Sequence, residues 1–195
     1  MYIPRHFQIT DREEIFSFIE QNAFGQIIST LQGRLFSTHI PFLVSDDKQK
    51  LFGHFARHNP QSKDIDGQEV MVTLEGPHGY ISPSWYLNPG VPTWNYQAVH
   101  IYGICKILPE LTAVKTIVDR LSNKYEEAFE TYWELDYNAG MLKHIVAFEI
   151  EITNIQCKYK LSQNRSEQDR ENVITHLQNR GSVALANAVK ETNQQ

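Results

Sequence analysis

The sequence predicts a mainly β fold with peripheral helices (α+β), an antiparallel sheet closed or partly closed into a barrel. Three observations predict it. Short apolar segments alternate residue by residue and are separated by turn signals, the mark of half-buried strands. Only a few segments carry a helical stripe. There is no strand–helix–strand alternation and no glycine fingerprint, which excludes a dinucleotide-binding doubly wound domain. The 195 residues suit one domain with a small appendage. A chain of this size buries roughly 70% of its unfolded surface and needs no staples. With 41% hydrophobic and 21% charged residues it is neither disordered nor fibrous.

The elements follow in order. Thr10 and Glu13 stand at capping-box spacing, and Ile15, Phe16 and Ile19 form the stripe of a first helix. Residues 25–30 are β-rich, with Gln32-Gly33 as a turn. Phe36, Thr38, Ile40, Phe42 and Val44 share one face of an expected strand over 36–44, and residues 51–56 form another. Val70, Val72 and Leu74 alternate with Met71, Thr73 and Glu75. In a long strand at 95–108, Val99, Ile101, Gly103, Cys105 and Ile107 oppose a mixed face of Tyr96, Ala98, His100, Tyr102 and Lys106, which suits a partner surface or a ligand wall. Thr112 is the expected N-cap of a helix through Val114, Ile117 and Leu121. A last strand carries Val146, Phe148, Ile150 and Ile152 on one face.

Two segments resist a core reading. Residues 76–94 read as a long loop with Pro77, Pro83, Pro89 and Pro92 among Tyr80, Trp85, Tyr86 and Trp94. Long loops in compact domains are functional or disordered, and aromatic density opposes disorder. The aromatics either pack the loop down or line a planar-ligand pocket or a dimer seam. The expected division is a barrel over 1–161 and a helical tail over 162–195 packed on the barrel or on a partner subunit. In the tail, Ser166 and Asp169 form a capping pair, Val173, Ile174 and Leu177 a stripe, and Gly181 a stop. Two helices around a glycine are compatible with a DNA-reading helix-turn-helix. From Asn164 onward, however, Arg165, Arg170, Arg180 and Lys190 are balanced by Glu167, Asp169, Glu171 and Glu191. With a net charge of −5, DNA binding is possible but unsupported by charge.

No apolar run reaches the about 20 residues that span a bilayer, the N-terminus lacks a signal-peptide core, and Cys105 and Cys157 form no CxxC. A reduced, cytoplasmic protein with no membrane association is the expectation. His54 and His58 have zinc spacing only on a helix, and here they end a strand, so no metal is expected. No nucleophile elbow, P-loop or EF-hand occurs, and no catalytic residue stands out. Richer is the segment 53–63, where a strand delivers Arg57, Asn59, Ser62 and Lys63 into one turn: two cations and two neutral donors, a phosphate cradle or an ordinary polar turn.

Several longer stretches carry a resemblance: MYIPRHF at 1–7, THIPF at 38–42, GHFARHNP at 53–60, GPHGYISPSWY at 76–86, VPTWNYQAVHIYG at 91–103 and YKLSQNRSEQDR at 159–170. Together they resemble the PaiB family of FMN-binding negative transcriptional regulators across almost the whole chain. The resemblance implies a six-stranded antiparallel FMN-binding split barrel, a homodimer, and a flavin site at the subunit interface. In the wider pyridoxamine-phosphate-oxidase-like class the flavin-phosphate turn reads Asn-x-x-Ser-x-Lys. Asn59, Ser62 and Lys63 resemble it, with the lysine one residue early and Arg57 as a substitute cation. Gln97 stands where that class has a Gln-Val-Arg strand, but His100 replaces the arginine. The implied FMN-binding set is thus Thr38, Arg57, Asn59, Ser62, Lys63, Trp94, Gln97 and His100. Each lost charge-assisted bond to phosphate costs about 1.5–3 kcal/mol, roughly tenfold or more in affinity. Weakened FMN binding, or a protein purified without it, is therefore expected as one outcome.

Three functions stay open at this point: an FMN-binding regulator; a flavin-dependent oxidoreductase with Trp85, Tyr86, Trp94 and Tyr96 around the ring and His100 poising a proton; and a dimeric interaction module with a decayed flavin site.

Overall fold

Helix α1 (Arg12–Gln21) begins where Asp11, not Thr10, supplies the cap. The Asp11 carboxylate accepts from the Glu14 amide at 2.8 Å. A carboxylate there satisfies an orphan donor and adds charge favoured by the helix dipole, an advantage a threonine lacks. The computed structural model describes residues 1–127, 129 and 138–192.

Eight strands replace the expected six: β1 (Gln8–Ile9), β2 (Phe24–Leu31), β3 (Arg34–Pro41), β4 (Leu43–Val44), β5 (Lys50–Ala56), β6 (Glu69–Ile81), β7 (Thr93–Leu108) and β8 (Ile145–Lys160). The sheet order is β3-β2-β6-β7-β8-β5-β4, with β1 on β8. The β2–β3 hairpin turns at Gln32-Gly33, both at positive φ (52° and 77°), the mirror-image turn that matches strand twist. The expected continuous strand over 36–44 is broken. It stops at Pro41, which has no N–H, and the chain leaves its pairing with β2 to pair Leu43 with Phe52 of β5.

The chain forms two compact units. The first comprises residues 1–18, 75–99 and 156–195, and the second 19–74 and 100–155. The division runs through α1, β6, β7 and β8.

In the second unit β5 pairs with β8 from Lys50↔Glu151 to Ala56↔Ile145. Leu51, Phe55, Val72, Ile101, Phe148 and Ile150 are buried between the strands. Phe148 lies 4.7 Å from Phe55 and covers Gly53, where a Cβ would stand 2.6 Å from its ring. Helix α2 (Leu111–Glu126) buries Val114, Ile117 and Leu121 against Leu43, Ala147 and Leu142 of the short α3 (Ala139–Leu142). Its N-cap is Glu110, without a side-chain bond; Thr112 lies inside the first turn.

In the first unit the expected loop over 76–94 shrinks to 82–92, because β6 runs on to Ile81 and β7 begins at Thr93. Gly76, Pro77 and Gly79 look like loop residues, but the buried Ile81 ends a strand pattern that they continue. Ser82 caps a 3-10 turn over Pro83–Trp85. Helices α4 (Glu167–Asn179) and α5 (Val183–Thr192) pack onto this stretch. His176 stacks on Trp85 at 5.0 Å, the Asp169 carboxylate accepts from the Leu87 amide at 2.8 Å, and Leu185 lies against Gly79. Ser166 caps α4 through the Asp169 amide at 3.2 Å, and Gly181 (φ 77°) ends the turn between the helices.

Candidate functional site

The polar turn after β5 is built from its side chains inward. Pro60 opens a 3-10 turn over Pro60–Lys63, and Asn59 caps it by accepting from the Gln61 amide at 3.0 Å. The Asn59 amide nitrogen donates to Thr38 Oγ1 at 2.9 Å, and Thr38 Oγ1 donates to Gln61 Oε1 at 2.6 Å. The Gln61 side chain is buried, and its nitrogen donates to Ser29 Oγ at 2.9 Å and to the Ile27 and Phe36 carbonyls at 3.2 and 3.4 Å. Ser62 Oγ donates to the Asn59 carbonyl at 2.8 Å. So Thr38, Asn59, Ser62 and Lys63 come together, and Gln61 is the residue that joins them. Sequence reasoning missed Gln61. The available signal was a glutamine next to a proline in a strand-ending turn, too common to single out.

Arg57 goes elsewhere. Its Nε donates to the Lys143 carbonyl and its Nη2 to the Ile145 carbonyl at 2.9 Å, so the guanidinium pins the start of β8. Lys63 is exposed and has no partner among the described residues. The neighbouring carboxylate, Asp64, faces the Gln32 amide at 3.4 Å. An exposed ammonium in the turn that Asn59 caps, with the Asp64 carboxylate turned aside, fits the charge of a phosphate monoester. When bound, FMN supplies a redox-active isoalloxazine ring.

His100 lies half-buried on the second-unit part of β7. Trp94 and Gln97 lie on the first-unit part. Gln97 and Phe18 both lie over Gly76, the Gln97 oxygen 3.1 Å and the Phe18 ring 2.8 Å from where a Cβ there would stand. Trp94 is 54% exposed and meets the edge of Tyr80 at 6.3 Å. Trp85 and Tyr86 are buried against α4 and its approach, with Arg165 at 4.2 Å over Tyr86, so these two pack the loop down. Burial pushes the Cys105 and Cys157 thiols up to about 12, which leaves neither a thiolate nucleophile. No helix among the described residues is long and apolar enough to cross a membrane.

This architecture places the chain in the split-barrel fold class. The fold is shared with the flavocytochrome Anf3 from Azotobacter vinelandii (TM-score 0.66, 14% identity, covering 87% of this chain and 78% of that one). It is shared also with an FAD and heme binding protein from Mycobacterium smegmatis (TM-score 0.65, 14% identity, covering 83% and 78%). The chain belongs to the family described as "Putative FMN-binding domain", matched over residues 1–154. It is 44% identical over 186 residues to the "Protease synthase and sporulation protein PAI 2" of Bacillus subtilis (strain 168), covering 92% of this chain and 90% of that protein. FMN is the cofactor that membership in this family assigns.

Proposed function

We propose that this protein is a homodimeric, FMN-dependent regulator that lowers transcription of its target genes inside the cell, and that the flavin phosphate is held at the turn after β5. The observation that carries the flavin part is the Thr38–Asn59–Gln61 network, which holds Ser62 and the unpaired Lys63 in one rigid turn. Lys63 supplies the charge, while the Ser62 and Thr38 hydroxyl protons are given to the Asn59 carbonyl and to Gln61 and hold the turn in shape. His100, in the same unit as the turn, is the ring-side candidate. The regulatory part is supported by the 44% identical relative, whose name ties it to protease synthase and sporulation. The net charge of −5 favours an output through a protein partner over direct DNA contact.

The test is a titration of purified protein with FMN and with riboflavin, followed by flavin fluorescence. Saturable quenching is expected. Lys63→Ala should weaken FMN about tenfold and leave riboflavin unchanged, because only the phosphate contact is lost. Absence of quenching by FMN would refute the flavin reading. Sedimentation of the same sample tests the dimer, and a promoter-fragment shift at low salt tests direct DNA contact.

A further inference from the structure

Three cations of the first unit, Lys158, Lys160 and Arg165, lie within electrostatic reach of one another around Lys160. Lys158 is 93% removed from solvent by its neighbours (7% exposed), donates to the Tyr2 carbonyl at 3.1 Å, and lies 5.1 Å from the Tyr96 ring. Lys160 donates to the Trp94 carbonyl at 2.6 Å and to the Thr93 hydroxyl. Arg165 sits over Tyr86 at 4.2 Å. Among the described residues none of the three is ion-paired. Beside them Tyr80 and Trp94 meet edge to face, 47% and 54% exposed.

Like charges gathered partly out of water raise one another's electrostatic energy, and an arriving anion relieves it. Burial first, then Lys158 and Arg165, hold the Lys160 ammonium below the usual lysine range, so the crowding is felt. Exposed indole and phenol faces next to cations are what a base with phosphates requires: stacking on one side, charge on the other. We propose that this face of the first unit binds a nucleotide, with its base on Trp94 and Tyr80 and its phosphates on Lys160 and Arg165. The proposal does not depend on the turn after β5.

Calorimetric titration with ADP, adenosine and pyrophosphate separates the two halves of the recognition. ADP should bind saturably and at least tenfold tighter than either fragment. Lys160→Gln and Trp94→Ala should each weaken ADP about tenfold, Lys160→Arg should retain it, and Lys63→Ala should leave it unchanged. Circular dichroism confirms that each variant folds, and Arg165→Gln serves where Lys160→Gln does not. Pyrophosphate binding as tightly as ADP would overturn the base contact. No ADP binding, a loss of ADP in Lys63→Ala, or binding of a single-stranded oligonucleotide without ADP would overturn the proposal. If FMN displaces ADP and Lys160→Gln weakens both while Lys63→Ala weakens neither, this face is the FMN site itself, the phosphate assignment at the turn fails and the proposal is overturned.

Discussion

The hydroxyl of Thr38 donates to the side-chain oxygen of Gln61 at 2.6 Å, and this bond ties β3 to the turn that follows β5. The two residues are 23 positions apart in sequence. Gln61 in turn satisfies carbonyls and a hydroxyl of β2 and β3 from a buried position. Gln61→Leu should therefore leave buried polar groups unpaired and cost about 2–3 kcal/mol. A urea unfolding curve reads the loss. FMN affinity should fall with it, because the turn loses its anchor; unchanged stability would show that the network carries no weight.

Arg57 and Lys63, equal candidates in the sequence, should separate by experiment. Arg57 holds two carbonyls at the start of β8, so Arg57→Ala should cost about 1 kcal/mol of stability and leave the preference for FMN over riboflavin in place. Lys63→Ala should do the reverse. A loss of FMN preference in Arg57→Ala would mean that the guanidinium leaves those carbonyls for the ligand.

His54 sets a pH dependence. Burial holds its imidazole below the ordinary 6.5, and its Nδ1 is buried without a hydrogen-bond partner. The unfolded chain takes up a proton as pH falls through 6.5 while the folded chain resists it. This contribution is thus present above 6.5 and is lost progressively below it. The urea midpoint should drop between pH 7.5 and 5.5, and His54→Leu should flatten that drop. An equal drop in both proteins would remove His54 from the account.

Gly25 permits a close approach of strands. A Cβ there would stand 2.2 Å from the Thr73 carbonyl oxygen of β6 and 2.5 Å from the Leu74 side chain. The backbone oxygen cannot give way cheaply, so Gly25→Ala should destabilise by about 1–3 kcal/mol. Gly33, with open space around it but φ at 77°, should respond less through contact than through backbone strain. Thermal unfolding of both alanine variants distinguishes the two causes.

The strands were legible in the sequence because their information is local. Alternation at 70–75, 99–107 and 146–152 follows from side chains pointing to opposite faces, and Gln32-Gly33 is a turn because both residues tolerate positive φ. The helix caps were legible only in part: Thr10, Asp11 and Thr112 are all competent by type, and the chain path took Asp11 for α1 but started α2 at Glu110, whose side chain makes no capping bond. The break at Pro41 depends on which strand lies alongside, and local pattern does not contain that. The same holds for the site. Composition brought Arg57, Asn59, Ser62 and Lys63 into view, because donors for phosphate are recognisable by type. Only tertiary structure sent Arg57 to Lys143 and Ile145, recruited Thr38 and Gln61, and set Lys158, Lys160 and Arg165 among Tyr96, Trp94 and Tyr86. Sequence alone determines the period of each element and the chemistry each side chain can offer. Partners tens of residues away are fixed by strand register and packing, which exist only once the chain has folded.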